Sequence, residues 1–211
     1  EHSVWKTDYN SKVDIDYSGL DGYFEARGAQ IKDPDRSWAI LYKNSLLEKF
    51  QIKYPKNVPY LEDGLFLAKV FSVAEKVIFF KEYFYQRTTR IGSATNSNLF
   101  YTDQSINGFM NAIDDVKEFA IKNNLKGKQL LLINHVIAKF VFLPLTSSLT
   151  STKKIDFLKI VKLLKNKGLG TLNLNGCRGT YLIYGKAYNK SIFHYIIAFY
   201  AIKFKGKLTT K

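Results

Sequence analysis

Cysteine, methionine, histidine and proline are all scarce in this chain of 211 residues, which holds one Cys, one Met, three His and four Pro. The lone Cys177 has no partner for an intrachain disulfide and cannot seed a zinc cluster, which excludes a disulfide-stapled scaffold and fits a reducing compartment. His2, His135 and His194 lie far apart in sequence, and no HExxH, Cys/His metal spacing, GxGxxG or Walker-type phosphate loop occurs. Long uncharged apolar runs are missing as well. KQLLLINHVIAKFVFLPL (128–145) comes nearest, but His135 and Lys139 interrupt it and Pro144 closes it short of the roughly 20 apolar residues of a span, so a buried or interfacial helix is expected. The opening EHSVWKTDYNSK has no charged region ahead of an apolar core, so no secretory signal is expected. A start on Glu1 instead of Met points to sequence upstream.

Acidic residues are nearly absent from the second part of the chain. Residues 124–211 carry 16 Lys/Arg and a single acid, Asp156, for a net of +15, while residues 1–123 carry 16 Lys/Arg and 17 Asp/Glu, for a net of −1. A surface so one-sided suits a polyanion, either a nucleic-acid backbone or an anionic membrane. What the chain does have is apolar mass: 46% hydrophobic and 15% aromatic residues are enough to bury a substantial core.

Hydrophobic spacing divides the chain into elements. SWAILYKNSLLEKF (37–50) reads as a helix capped by Ser37, with Trp38, Leu41, Leu46 and Phe50 near one face. An extended, Pro-limited link (51–59) leads to a second helix over 64–74. KVIFF (76–80) and YFYQR (83–87), dominated by β-branched and aromatic residues, read as short strands. From there the period is helical: 106–123 is amphipathic, 128–145 is apolar nearly all round, and 147–168 ends on Lys167 and Gly168. The stretch 189–207 alternates aromatic and basic residues. The expected fold is α/β or α+β: a mixed sheet with packed helices over 1–104, then a basic helical region over 105–211. His135 reads most simply as a core histidine and Cys177 as a small residue in a Gly-rich turn.

One stretch carries chemistry as well as pattern. Residues 37–98 contain, in order, an aromatic-led helix with a YKNSLL run, the adjacent acids Glu62 and Asp63, a helix and KVIFF. Tyr83-x-Tyr85-x-Arg87 and Gly92-Ser93 follow. This ensemble, somewhat under a third of the chain, resembles the second half of the catalytic domain of family 2 glycosyltransferases, the bacterial GT-A enzymes that build surface polysaccharides. The resemblance implies a partial GT-A-like sheet. It also implies an inverting transfer of a sugar from a nucleotide-sugar donor to a polysaccharide or lipid-linked saccharide acceptor, with Asp63 as the general base. Glu62 would orient the acceptor or the backbone, Arg87 and Arg90 would meet the diphosphate, Ser93 occupies the Gly-Ser position, and Trp38 would line the acceptor side. A carboxylate at a helix N-terminus is favoured as an anion by the helix dipole, which suits a base.

The family begins with a nucleotide-binding half that carries an Asp-Asp-Gly-Ser turn and an Asp-x-Asp metal motif, and the resemblance starts only after the point where that half should lie. The chain is therefore expected to be an acceptor-side half, inactive alone, whose complete enzyme uses a divalent metal (Mg or Mn) that this chain does not itself bind. The expected place is cytoplasmic, peripheral at the inner face of the cell membrane, through 124–211. Plainer readings stand beside each assignment. Glu62 and Asp63 also suit ordinary first-turn helix charges, Arg87 and Arg90 solvated strand-end charges, and Trp38 a core position. The basic region also suits a polyanion-binding module without catalysis, although no recognised nucleic-acid motif is present.

Overall fold

The computed structural model describes residues 12–26, 34, 36–80, 102–150 and 156–208. Among these residues the elements are helical: α1 (Gly19–Glu25), α2 (Asn44–Lys49), α3 (Glu62–Val73), α4 (Asp103–Lys122), α5 (Lys128–Thr150), α6 (Phe157–Asn166), α7 (Gly179–Lys190) and α8 (Ile192–Leu208), with a 3-10 turn at Ser37–Ala39. Several helices begin on side-chain caps. Ser18, Thr102 and Asp156 accept the backbone N–H of Asp21, Ser105 and Lys159, satisfying donors that a first turn leaves open. Ser191, extended at φ −172°, ends α7 and caps α8 by accepting from the His194 N–H at 3.2 Å.

The mixed sheet expected from the sequence is not there, and the fold class is corrected to helical for the described residues, which contain no strand. KVIFF does alternate like a strand, with Phe79 buried and Ile78 and Phe80 exposed, but among the described residues it forms two isolated bridges and no ladder, Val13 with Phe79 and Tyr17 with Val77. The reason lies in the partner: β propensity yields a sheet only where a second strand offers a ladder. Here residues 13–17 give way at once to α1, whose Gly19 N–H already bonds the Ala74 carbonyl at 3.1 Å. The YFYQR segment lies outside the described residues.

The helix expected over 37–50 is also interrupted. Only the 3-10 turn and α2 form, and Leu41 is 74% exposed. Ser37 does not act as a cap: its hydroxyl donates to Asp63 and accepts from Tyr54 at 2.8 Å, and the Tyr42 hydroxyl donates to its carbonyl at 2.6 Å.

Helix α5 is the centre of the molecule. It packs against α1, α3, α4, α6 and α7, and it runs through Pro144 instead of stopping there. The proline removes one helical N–H, while the Thr146 hydroxyl donates back to the Phe142 and Leu143 carbonyls at 2.8 and 3.0 Å and tightens the same turn. At 23 residues α5 is long and apolar enough to cross a membrane by length and composition, but 61% of its most apolar window is buried inside this fold. Around its C-terminal half an aromatic cluster closes the core: Phe142 stacks on Tyr195 at 5.5 Å and meets Tyr184 and Tyr188 edge-on. The sequence carried no expectation for α7.

Candidate functional site: a held carboxylate at the start of α3

The chain enters α3 through Leu61, which sits in the left-handed region at φ 62°, ψ 21°. A leucine there is strained, and such strain persists only where the surroundings impose it. Its effect is to turn the chain so that Glu62 and Asp63 fall in the first turn of a helix whose next ten residues are buried. Gly64 leaves room beside them: a Cβ there would lie 3.3 Å from the Lys139 Nζ, which α5 delivers from the core at 6% exposure.

Asp63 is half-buried and asymmetrically bound. Its Oδ1 accepts from the Ser37 hydroxyl and lies 3.1 Å from the Tyr54 hydroxyl, which is also 2.8 Å from the Ser37 Oγ. Its Oδ2 has no hydrogen-bond partner among the described residues. Tyr54 is fixed by stacking on Phe66 at 4.4 Å and 7°, and Tyr42 meets the same ring edge-on at 5.4 Å. Burial pushes the Tyr54 phenol above its ordinary range; the bond to Ser37 opposes this and the Asp63 charge adds to it. Burial likewise raises Tyr42, with the Tyr54 and Asp63 charges contributing. Both phenols therefore stay protonated donors at neutral pH.

Helix α3 is locked in place by an ion pair between Lys69, 5% exposed, and Asp115 of α4; the Lys69 ammonium also lies over the Phe119 ring at 5.8 Å. Beside this helix pair an open cleft of about 600 Å³ runs between the 55–59 loop and α4. Val58 and Pro59 line it together with the amide side chains of Gln104, Asn107 and Asn111. Asn111 ties the two sides together by donating to the Asn57 carbonyl at 3.0 Å. The same loop continues through Tyr60 and Leu61 to the acid pair.

Of the residues singled out from sequence, the structure places Glu62 and Asp63 side by side on α3, and Trp38 half-buried in the 3-10 turn next to Ser37. Arg87, Arg90 and Ser93 lie outside the described residues. Sequence reasoning missed the partners of Asp63. It assigns Ser37 to a cap and gives Tyr54, Tyr42 and Lys139 no role, although a lysine inside the apolar 128–145 run is a visible signal. Among the described residues no metal-binding cluster forms. Asp-x-Asp spacing occurs twice, at Asp14-Ile15-Asp16 and Asp33-Pro34-Asp35. Asp16 pairs with Lys76 at 2.7 Å, Asp33 and Asp35 lie outside the described residues, and no three His, Cys, Asp or Glu side chains converge among those described.

Two other reactive side chains prove structural. His135 is fully buried, its Nδ1 accepts the Arg178 N–H at 3.3 Å, and its ring packs edge-on to Phe24 and Tyr181. Cys177 is buried, which pushes its thiol up to about 11 and leaves it un-ionised at neutral pH. Arg178 covers Phe24 at 4.0 Å and pairs with Asp21 at 3.9 Å.

No family model matches this chain, and no curated protein or solved structure matches it.

Proposed function

We propose that the chain is the acceptor-side part of an inverting glycosyltransferase of surface polysaccharide synthesis, in which Asp63 is the general base. The observation that carries this reading is the asymmetric carboxylate: Oδ1 is engaged by Ser37 and Tyr54, while Oδ2 has no partner among the described residues. Such a group is oriented by one oxygen and accepts a proton on the other. In the reaction the acceptor hydroxyl gives its proton to Oδ2 as its oxygen bonds to the anomeric carbon. The bond from that carbon to the donor's diphosphate breaks with its electron pair, and a nucleoside diphosphate leaves. Glu62, one residue earlier on the same turn, orients the incoming hydroxyl. The amide-walled cleft between the 55–59 loop and α4 supports an acceptor rich in hydroxyls, since amides both donate and accept. The described residues fit no metal, and no step here is routed through one.

The test is transfer from a panel of nucleotide sugars to saccharide acceptors by this chain joined to its upstream sequence. Asp63→Asn is expected to lower kcat by about 10²–10⁴-fold with donor binding unchanged; near-normal transfer by that variant sinks the base assignment. The second reading, a polyanion-binding module without catalysis, is favoured by the net charge of +15 over residues 124–211. It predicts no transfer from any donor, and polyanion binding that Asp63→Asn leaves unchanged.

A further inference from the structure

Helix α8 is apolar on two opposite faces, and the core needs only one of them. Tyr195 and Phe199, 0% and 5% exposed, point inward. Phe193, Ile197, Tyr200 and Phe204 are 66%, 52%, 42% and 68% exposed. At about 100° per residue these four fall within an arc of roughly 60°, and at 1.5 Å per residue they form a straight stripe roughly 16 Å long. At about 100° per residue the exposed Lys203 and Lys205 fall on the two flanks of the stripe, with the Lys203 ammonium 5.9 Å from the centre of the Phe199 ring. No Asp or Glu occurs anywhere in residues 157–208.

We propose that this outer stripe of α8 docks flat on an anionic lipid bilayer. The occupant must offer hydrocarbon to an apolar crest and negative charge to both of its flanks, and a bilayer with anionic headgroups presents the two together. Duplex nucleic acid matches the lysines but leaves the Phe193–Phe204 crest against a charged, hydrated backbone. A second copy of the chain matches the crest but sets lysine flanks of the same sign against each other. On docking, Lys203 leaves its place over the Phe199 ring, and both ammonium groups extend to the headgroups from either side of the crest. The stripe is far too short to span and lies along the interface plane. This surface does not depend on the reading of Asp63, and its test leaves that reading untouched.

The experiment is co-sedimentation of the full chain with vesicles of equimolar phosphatidylglycerol and phosphatidylcholine, against vesicles of phosphatidylcholine alone. Binding is expected to be more than about tenfold stronger to the anionic vesicles. Lys203→Gln with Lys205→Gln is expected to weaken it by roughly 25-fold, at about fivefold per lysine. Phe193→Ser with Phe204→Ser, both at exposed positions that leave the core intact, is expected to weaken it by about tenfold or more. Phe204→Trp is expected to shift its emission to the blue on anionic vesicles. Undiminished binding by the Phe→Ser pair overturns the proposal, as does equal binding to duplex DNA, an unshifted emission spectrum of the Phe204→Trp variant, or a dimer that the Phe→Ser pair dissolves.

Discussion

At the scale of single residues, what distinguishes Asp63 from an ordinary first-turn acid is the set of hydroxyls around it. An exposed acid in a first turn contributes about 0.3–1 kcal/mol through the helix dipole and needs no fixed partner. Asp63 is instead held by Ser37, 26 residues earlier, and approached by Tyr54 from across a Pro-containing link. Removing either hydroxyl separates stability from function. Ser37→Ala and Tyr54→Phe are each expected to cost about 0.5–1.5 kcal/mol of stability in urea titrations. If Asp63 is the base, each also lowers kcat in the joined enzyme with little change in KM, because the carboxylate loses its orientation and not its contact with substrate; a loss confined to stability would make them purely structural. The acid pair is legible in the sequence because two adjacent carboxylates stand directly ahead of an apolar helix pattern. Its partners are not, since a Ser ahead of a helix pattern has two equally good uses and only the fold chooses between them.

At the scale of elements, the helices with strong period are legible, and the sheet the sequence suggests is absent from the described residues. Helix α4 declares itself through Ile106, Phe109, Met110, Ile113 and Val116, all of which are buried, and its cap Thr102 lies just ahead of them. KVIFF misleads because its alternation is real while the described residues give it no ladder, and alternation in one segment cannot report whether a neighbour exists. Helix α5 reads as ending at Pro144 because a proline rule weighs only the backbone, whereas Phe140, Val141, Phe142 and Leu145 are buried on both sides of it. Two contacts between elements are directly testable. A Cβ on Gly19 would fall 2.0 Å from the Phe71 carbonyl oxygen, so Gly19→Ala must push α1 off α3, and a loss of at least about 2 kcal/mol is expected in chemical denaturation. The Lys69 to Asp115 pair joins α3 to α4 with the Asp115 side chain 29% exposed. Lys69→Met is therefore expected to cost about 2–3 kcal/mol, less than a fully enclosed pair, and Lys69→Met with Asp115→Leu is expected to recover most of it. A double variant no more stable than Lys69→Met would show that Asp115 is not the group left uncompensated.

At the scale of the whole molecule, the core is closed by phenols, and this ties its stability to alkaline pH. Tyr42, Tyr184, Tyr188 and Tyr195 all have hydroxyls raised above the ordinary range by burial, with neighbouring phenols adding to Tyr42 and Tyr195, and Asp63 to Tyr42. The Cys177 thiol, raised by burial from 9.0 to about 11, belongs to the same set. In the unfolded chain the thiol ionises first and the phenols next, near pH 10. In the folded chain they keep their protons to higher pH, so above those values the unfolded state binds fewer protons and gains on the native one. The stabilising contribution is therefore whole below about pH 9 and falls as pH rises, over about pH 9–11 for Cys177 and higher for the phenols, at up to about 1.4 kcal/mol per pH unit for each group held fully protonated. Tyr195 isolates the effect. It is 0% exposed, it stacks on Phe142, and its hydroxyl has no hydrogen-bond partner among the described residues. Tyr195→Phe keeps the ring and deletes a buried polar atom, so it is expected to raise stability by about 1 kcal/mol at neutral pH. It is also expected to flatten the decline above about pH 10, since the phenol no longer titrates on unfolding. Urea midpoints followed by circular dichroism from about pH 7 to 11 read both effects. A variant less stable than the parent at neutral pH, with an equally steep alkaline decline, would mean that the Tyr195 hydroxyl is bonded in the native state and titrates there as it does in the unfolded chain.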